Sequence, residues 1–342
     1  MWLSGEVSYH QTRFNEYSPS SYDCDFILCQ GHLKNLVNAG VRGFKCFLID
    51  SGVDVSVPSH WTFIFFYFAL GISMCRRGIF EVCHEGLSSK SLRRYIVGDT
   101  YLFPQNYKDV GSVLLFHAEL ADNIVHDEPE APNPRHYSTF LASRPQKLET
   151  KAISLVIELQ KAFPTLRCHI VHLSAASALP MIREARSMGV RLTVETCFHY
   201  LCLSAEDIPD GHTEFKCCPP VRDTTNRDQL WDALIDGSID CVVSDHSPCT
   251  LEFKALETGD IMAAWGGIST LGLGLSLLWT EGRKRGVTVG QIVNWMSSKT
   301  AEHAGLQRSK GSLKVGCDGD LILWDEEAEF EVNLLPQLPC YR

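Results

Sequence analysis

No Cys-x-x-Cys spacing occurs among the 14 cysteines of this 342-residue chain, and no block of Lys or Arg appears along it. Nor is any internal repeat or low-complexity tract visible. Scattered cysteines set inside apolar runs (Cys46, Cys168, Cys197, Cys241) act as small buried hydrophobes and make no disulfide framework. The adjacent pair Cys217 and Cys218 cannot easily bridge to itself. A reducing, intracellular compartment is therefore expected, with the cytoplasm first and a peroxisomal or mitochondrial location left open. The formal net charge of −10 and pI near 5.7 exclude a nucleic-acid partner, because nothing would neutralise phosphates. No basic stretch followed by an apolar one opens the chain, so no secretory signal is expected. The tail Pro339-Cys340-Tyr341-Arg342 is not a peroxisomal tripeptide. Trp61–Cys75 (WTFIFFYFALGISMC) falls short of the roughly 20 apolar residues a membrane span needs. It reads as a buried or misplaced apolar segment, and no membrane partner is expected.

What is there, from about residue 110 onward, is a regular alternation of short apolar strands with amphipathic helices. Ser112–Phe116 is a buried-strand run ending on His117, and Leu148–Phe163 has helical spacing. Cys168–Val171 is a strand ending on His172, and Ser177–Ser187 is a helix closed by Gly189. Strands follow at Val190–Thr196 and Ile239–Val243, and helices at about Ile268–Leu278 and Val289–Trp295. Such alternation implies parallel βαβ units, with functional side chains just past the strand ends. Barrel and open sheet share this pattern. Residues 1–30 have weak periodicity, and 58–107 interrupt the alternation with polar sequence and the Trp61–Cys75 run.

Four residues carry the chemistry: Lys45 inside an apolar strand, His117 and His172 at strand ends, and Asp245 in Ser-Asp-His-Ser-Pro. Imidazole nitrogen and carboxylate oxygen suit zinc and similar divalent ions. A lysine in an apolar strand must be paired, neutral or altered, and carbamylation by carbon dioxide would make it a carboxylate able to bridge two cations. His169 precedes His172 by three, so strand alternation predicts opposite faces, His172 toward the site and His169 structural. His199 and His246 are read as capping, supporting or surface residues.

In combination these strings resemble a family. Gly40–Val53 (GVRGFKCFLIDSGV) looks like the carboxylated-lysine strand of cyclic amidohydrolases of the allantoinase type. Glu195–Leu201 (ETCFHYL), Phe215–Arg222 (FKCCPPVR), Ser244–Cys249 and Trp265–Ile268 complete an ordered set over about 30–55 and 110–325. The resemblance implies an imperfect (β/α)8 TIM-type barrel over 31–310, with 58–107 an atypical insertion. An irregular segment at 1–30 would precede it, and 311–342 would be the remnant of a small flanking β-sandwich. It also implies a two-metal centre, usually zinc, sometimes cobalt, manganese or iron. Carboxylated Lys45 would bridge, His117 and His172 would complete the inner position, and Asp245 would hold the outer ion and act as general acid/base. The implied reaction is hydrolysis of the hydantoin amide of allantoin to allantoate. Backbone near Ser174, Cys217, Cys218, Gly266 and Gly267 would hold the ring. Relatives are commonly homotetramers.

The family pattern also calls for a His-x-His pair after a first strand, and no two histidines here stand two positions apart. The expectation is a chain without that strand and without part of the flanking sandwich. Such a chain would hold one ion better than two and would lose most catalysis. The alternatives are a dihydropyrimidinase- or dihydroorotase-like hydrolase, and a non-catalytic scaffold relative.

Overall fold

The computed structural model describes residues 34–35, 37–38, 40–49, 111–121 and 132–330, together with the backbone of 64–68 and 81–82. Val, Leu, Phe and Cys runs form the strands β1 (Val41–Phe47), β4 (Val113–His117), β5 (Arg167–Ile170), β6 (Leu192–Cys197) and β7 (Cys241–Val243). These five run parallel in the order β1-β4-β5-β6-β7. On the far side of β1, β2 (Ile64–Phe68) and β3 (Glu81–Val82) continue the sheet antiparallel. The strand β2 falls within the apolar run singled out above. The other expectations for 1–30, for most of 58–107 and for 331–342 lie outside the described residues. Among the described residues the sheet does not close on itself; it is an incomplete (β/α)8-type barrel.

Helices cover one face. They are α1 (Tyr137–Ser143), α2 (Lys147–Ala162), α3 (Leu179–Ser187), α4 (Phe198–Cys202), α5 (Thr224–Ile235), α6 (Gly274–Arg283), α7 (Val289–Val293) and α8 (Lys299–His303). Strand alternation turns Phe44, Cys46, Leu114, Phe116, Cys168, Ile170 and Val194 into one core with Ile153 and Val156 of α2. Each such side chain withdrawn from water contributes about 1.5–3 kcal/mol. Trp231 of α5 is 1% exposed, and its indole N–H donates to Leu201 O at 2.9 Å. Asp223 caps α5 by accepting from Asn226 N.

Most sequence-derived elements match within a few residues. The helix expected from Ile268 starts instead at Gly274, because Gly272 takes φ +92° and Gly274 lies so close beneath the Phe198 ring that no Cβ fits. Residues 311–330 make turns and carry no strand, with Leu313, Val315, Ile322 and Leu323 exposed. No helix among the described residues is long and apolar enough to cross a membrane, and the nine described cysteines are free.

Candidate metal centre

The parallel register sets a row of side chains on the sheet face away from the helices. Lys45 pairs with Leu115, Leu115 with His169, and His169 with Thr193. Partners in register share a face, so Lys45 and His169 point the same way. One layer nearer the C-terminal ends, Phe47 pairs with His117 and stacks on its ring at 4.9 Å. His117 closes β4, while His172, His199 and Asp245 each follow the end of their strand by two residues. All four therefore gather at one end of the sheet.

His117 Nδ1 stands 3.0 Å from His172 Nε2, with the rings at 67°. The other nitrogen of His117, Nε2, donates to Glu119 Oε2 at 2.8 Å, and Arg144 Nη1 donates to the same oxygen at 2.5 Å. With Nε2 committed to Glu119, His117 turns its Nδ1 toward His172. Burial alone would raise the Glu119 carboxyl. The hydrogen bond from His117 and the Arg144 charge outweigh it and hold the carboxyl below its ordinary value. His172 is held well below the ordinary histidine range, first by burial and then by the charges of His117 and Lys45. Its Nδ1 is buried without a partner. Lys45 Nζ lies 5.1 Å above the Phe47 ring.

The expectation of opposite faces for His169 and His172 fails. His172 takes φ +42°, a left-handed turn that ends the strand and resets the alternation. Both residues thus serve the inner side: His169 Nε2 pairs with Glu195 at 3.0 Å, and its Nδ1 meets Thr193 Oγ1 at 2.8 Å. His246 has a structural role, its Nδ1 accepting from Thr270 N and Leu271 N at 3.1 Å each. His199 does not suit the capping or surface role expected of it. It is buried, both ring nitrogens lack partners, and burial lowers its pKa to about 4, against the pull of Asp245. Asp245, itself at φ +43°, also acts electrostatically on Cys197, Tyr200 and Cys217.

The residues expected around a substrate ring come together nearby. Ser174 Oγ donates to Pro220 O at 2.6 Å and Cys217 Sγ lies 3.4 Å from Pro219 O. A Cβ on Gly266 would stand 2.7 Å from Cys218 Sγ, and one on Gly267 would collide with Ser247 and Trp265. Lys254 holds this cluster from beneath. Its ammonium donates to Lys216 O at 3.0 Å, Trp265 O at 3.1 Å and Gly267 O. Sequence reasoning assigned no role to Glu119, Arg144 or Lys254. Only Glu119, two residues from His117, left a local trace.

Two converging imidazoles, with nitrogens 3.0 Å apart and one of them carrying an orphaned ring nitrogen, fit a divalent cation as a pair of nitrogen donors. Among the described residues no three His, Cys, Asp or Glu side chains stand close enough together to hold an ion as they are. The His117–His172 pair thus offers two nitrogen donors to a divalent cation.

A family profile described as "Amidohydrolase family" matches residues 113–338. The chain is 41% identical over 302 residues to "Allantoinase" from Saccharomyces cerevisiae, covering 87% of this chain and 56% of that one. It is 44% identical over 285 residues to "Allantoinase, mitochondrial" from Aquarana catesbeiana, covering 83% and 51%. Among solved structures it resembles "L-Hydantoinase (Dihydropyrimidinase) from Arthrobacter aurescens". The TM-score is 0.66 and the identity 26%, over 85% of this chain and 57% of that one. The chain thus spans little more than half the length of these relatives. A parallel, helix-covered sheet with paired histidines at its C-terminal edge and this degree of identity place the chain in the amidohydrolase family.

Proposed function

We propose that this chain carries the inner half of an allantoinase-type active site, built to hydrolyse the hydantoin amide of allantoin to allantoate. The observation that carries the reading is the 3.0 Å approach of His117 Nδ1 to His172 Nε2 beside Lys45. His117, His172 and Lys45 would hold the inner ion, most suitably zinc, with cobalt, manganese or iron as alternatives. Lys45 serves as a carboxylate after its neutral amine adds to carbon dioxide and releases a proton. The carbamate replaces a positive charge beside His172 with a negative one. A divalent cation there would polarise the ring carbonyl and make water acidic enough to attack at neutral pH. Asp245 takes a proton from the attacking water and delivers it to the ring nitrogen as the carbon–nitrogen bond breaks. The water oxygen stays on the carbonyl carbon as a carboxylate. Backbone around Ser174, Cys217, Cys218, Gly266 and Gly267 orients the ring. Lys45 and Asp245 would contribute to an outer position.

Metal content of the purified chain after dialysis tests this. About one ion per chain, lost on His117→Ala or His172→Ala, is expected, together with weak binding of allantoin. A chain that takes up no zinc or cobalt would sink the reading. A hydantoin or dihydropyrimidine substrate is the second reading, favoured by the names of the structural relatives. Tighter binding of hydantoin or dihydrouracil than of allantoin would select it.

A further inference from the structure

We infer that Glu149, on the first turn of α2, is a positioning residue of this metal centre, setting His172 through the backbone of the loop that carries it. The inference rests on the proposed role of His117 and His172 as metal donors. Glu149 Oε2 accepts from Ser174 N at 2.9 Å and from Ala175 N at 3.0 Å, and Oε1 accepts from Arg222 Nη2 at 2.7 Å. Arg222 Nη1 donates to Arg144 O at 3.2 Å, and Arg144 holds Glu119, which orients His117. A partly buried relay, hydrogen bonds linked through Arg144 from its backbone carbonyl to its guanidinium, thus joins the ring of one imidazole to the loop of the other.

The loop needs such a hold. His172 sits at φ +42°, a region an L side chain enters only when its surroundings over-determine the backbone. Glu149 fixes two N–H groups on the C-terminal side of that turn. Asn226 adds two more bonds, donating to Ser174 O and accepting from Ala176 N, both at 2.8 Å, while Leu173 N donates to Glu195 O and Leu173 O accepts from Thr196 Oγ1, each at 2.8 Å. Without Glu149 the Ser174 and Ala175 N–H groups lose their acceptor, and the left-handed turn at His172 loses its hold on that side, leaving the bonds of Leu173 and Asn226 to carry it. Loosening of that turn moves Nε2 away from His117 Nδ1. A buried Glu149–Arg222 ion pair serving stability alone would make no such demand on the donors.

Cobalt(II) titration of the full chain separates the two roles, reading affinity and the visible ligand-field spectrum. Loss of an outer partner that orients a ligand costs about 10- to 100-fold in metal affinity. Glu149→Ala is expected to weaken cobalt binding within that range and to alter the spectrum. Glu149→Gln keeps an oxygen for both N–H groups and should restore most of the affinity. Ile153→Ala, buried on the same helix, should lower thermal stability without changing cobalt affinity. If Glu149→Ala does not fold, Glu149→Asp takes its place: it keeps the charge but withdraws the carboxylate, and weaker binding than Glu149→Gln is expected. Equal affinity and spectrum for wild type, Glu149→Ala and Glu149→Asp would overturn the inference, as would an equal loss in Ile153→Ala. Cobalt binding that depends on the two histidines but not on Glu149 removes the inference alone. Binding indifferent to both histidines removes the metal reading with it.

Discussion

His199 offers the sharpest test of the electrostatics at the strand ends. It is 2% exposed, neither ring nitrogen has a partner, and burial holds its pKa at about 4. An unfolded histidine titrates near 6.5, so between pH 6.5 and 4 the unfolded chain binds more protons and stability rises with pH. The contribution is complete above pH 6.5 and is lost as pH falls toward 4. Linkage puts the loss at about 2 kcal/mol by pH 5 and about 3 kcal/mol by pH 4. His199→Phe removes that loss. At pH 7, relief of the orphaned nitrogens works against the extra volume of phenylalanine and leaves a gain of about 1 kcal/mol or less. Against wild type, the variant should therefore gain about 2 kcal/mol more at pH 5 than at pH 7. Urea unfolding at both pH values, with equal m-values as the check on two-state behaviour, measures the difference. His303, lowered to about 3, and His172 titrate in the same direction in both proteins and largely cancel. A wild-type–variant difference that does not change with pH would refute the argument.

Two further outcomes follow from contacts around the site. Glu119→Gln keeps the shape of the side chain but removes the charge facing Arg144 and His117; cobalt affinity should fall about 10- to 100-fold with little change in fold, as metal titration and circular dichroism would show. Lys254→Met strips the ammonium from the carbonyls of Lys216, Trp265 and Gly267, which should cost about 2–3 kcal/mol in urea unfolding and, on the proposed function, weaken allantoin binding in calorimetry while metal content is unchanged.

The parallel strands were legible because a strand buried on both faces is a short, nearly unbroken apolar run. Val113–His117 and Arg167–Ile170 announce themselves in that way. Lys45 was legible for a related reason, a charge being conspicuous among Phe44, Cys46 and Phe47. Less visible was anything set by a change of backbone hand. The left-handed turn at His172 defeats the alternation rule, and Gly272 shifts the start of α6 by six residues from the expected Ile268. Periodicity counts residues along one element and does not register where that element stops.

By itself, then, the sequence determined the parallel α/β class, the family, and the four residues Lys45, His117, His172 and Asp245 as candidates, because strand periodicity and ordered motifs are local properties of the chain. Tertiary structure alone decided how those candidates are supported. Glu149 reaches the His172 loop across 25 residues, Arg222 reaches Glu149 across 73, and Lys254 reaches Lys216 across 38. Such contacts depend on which helix lies beneath which loop, and burial makes them strong by removing the water that would otherwise satisfy the same groups.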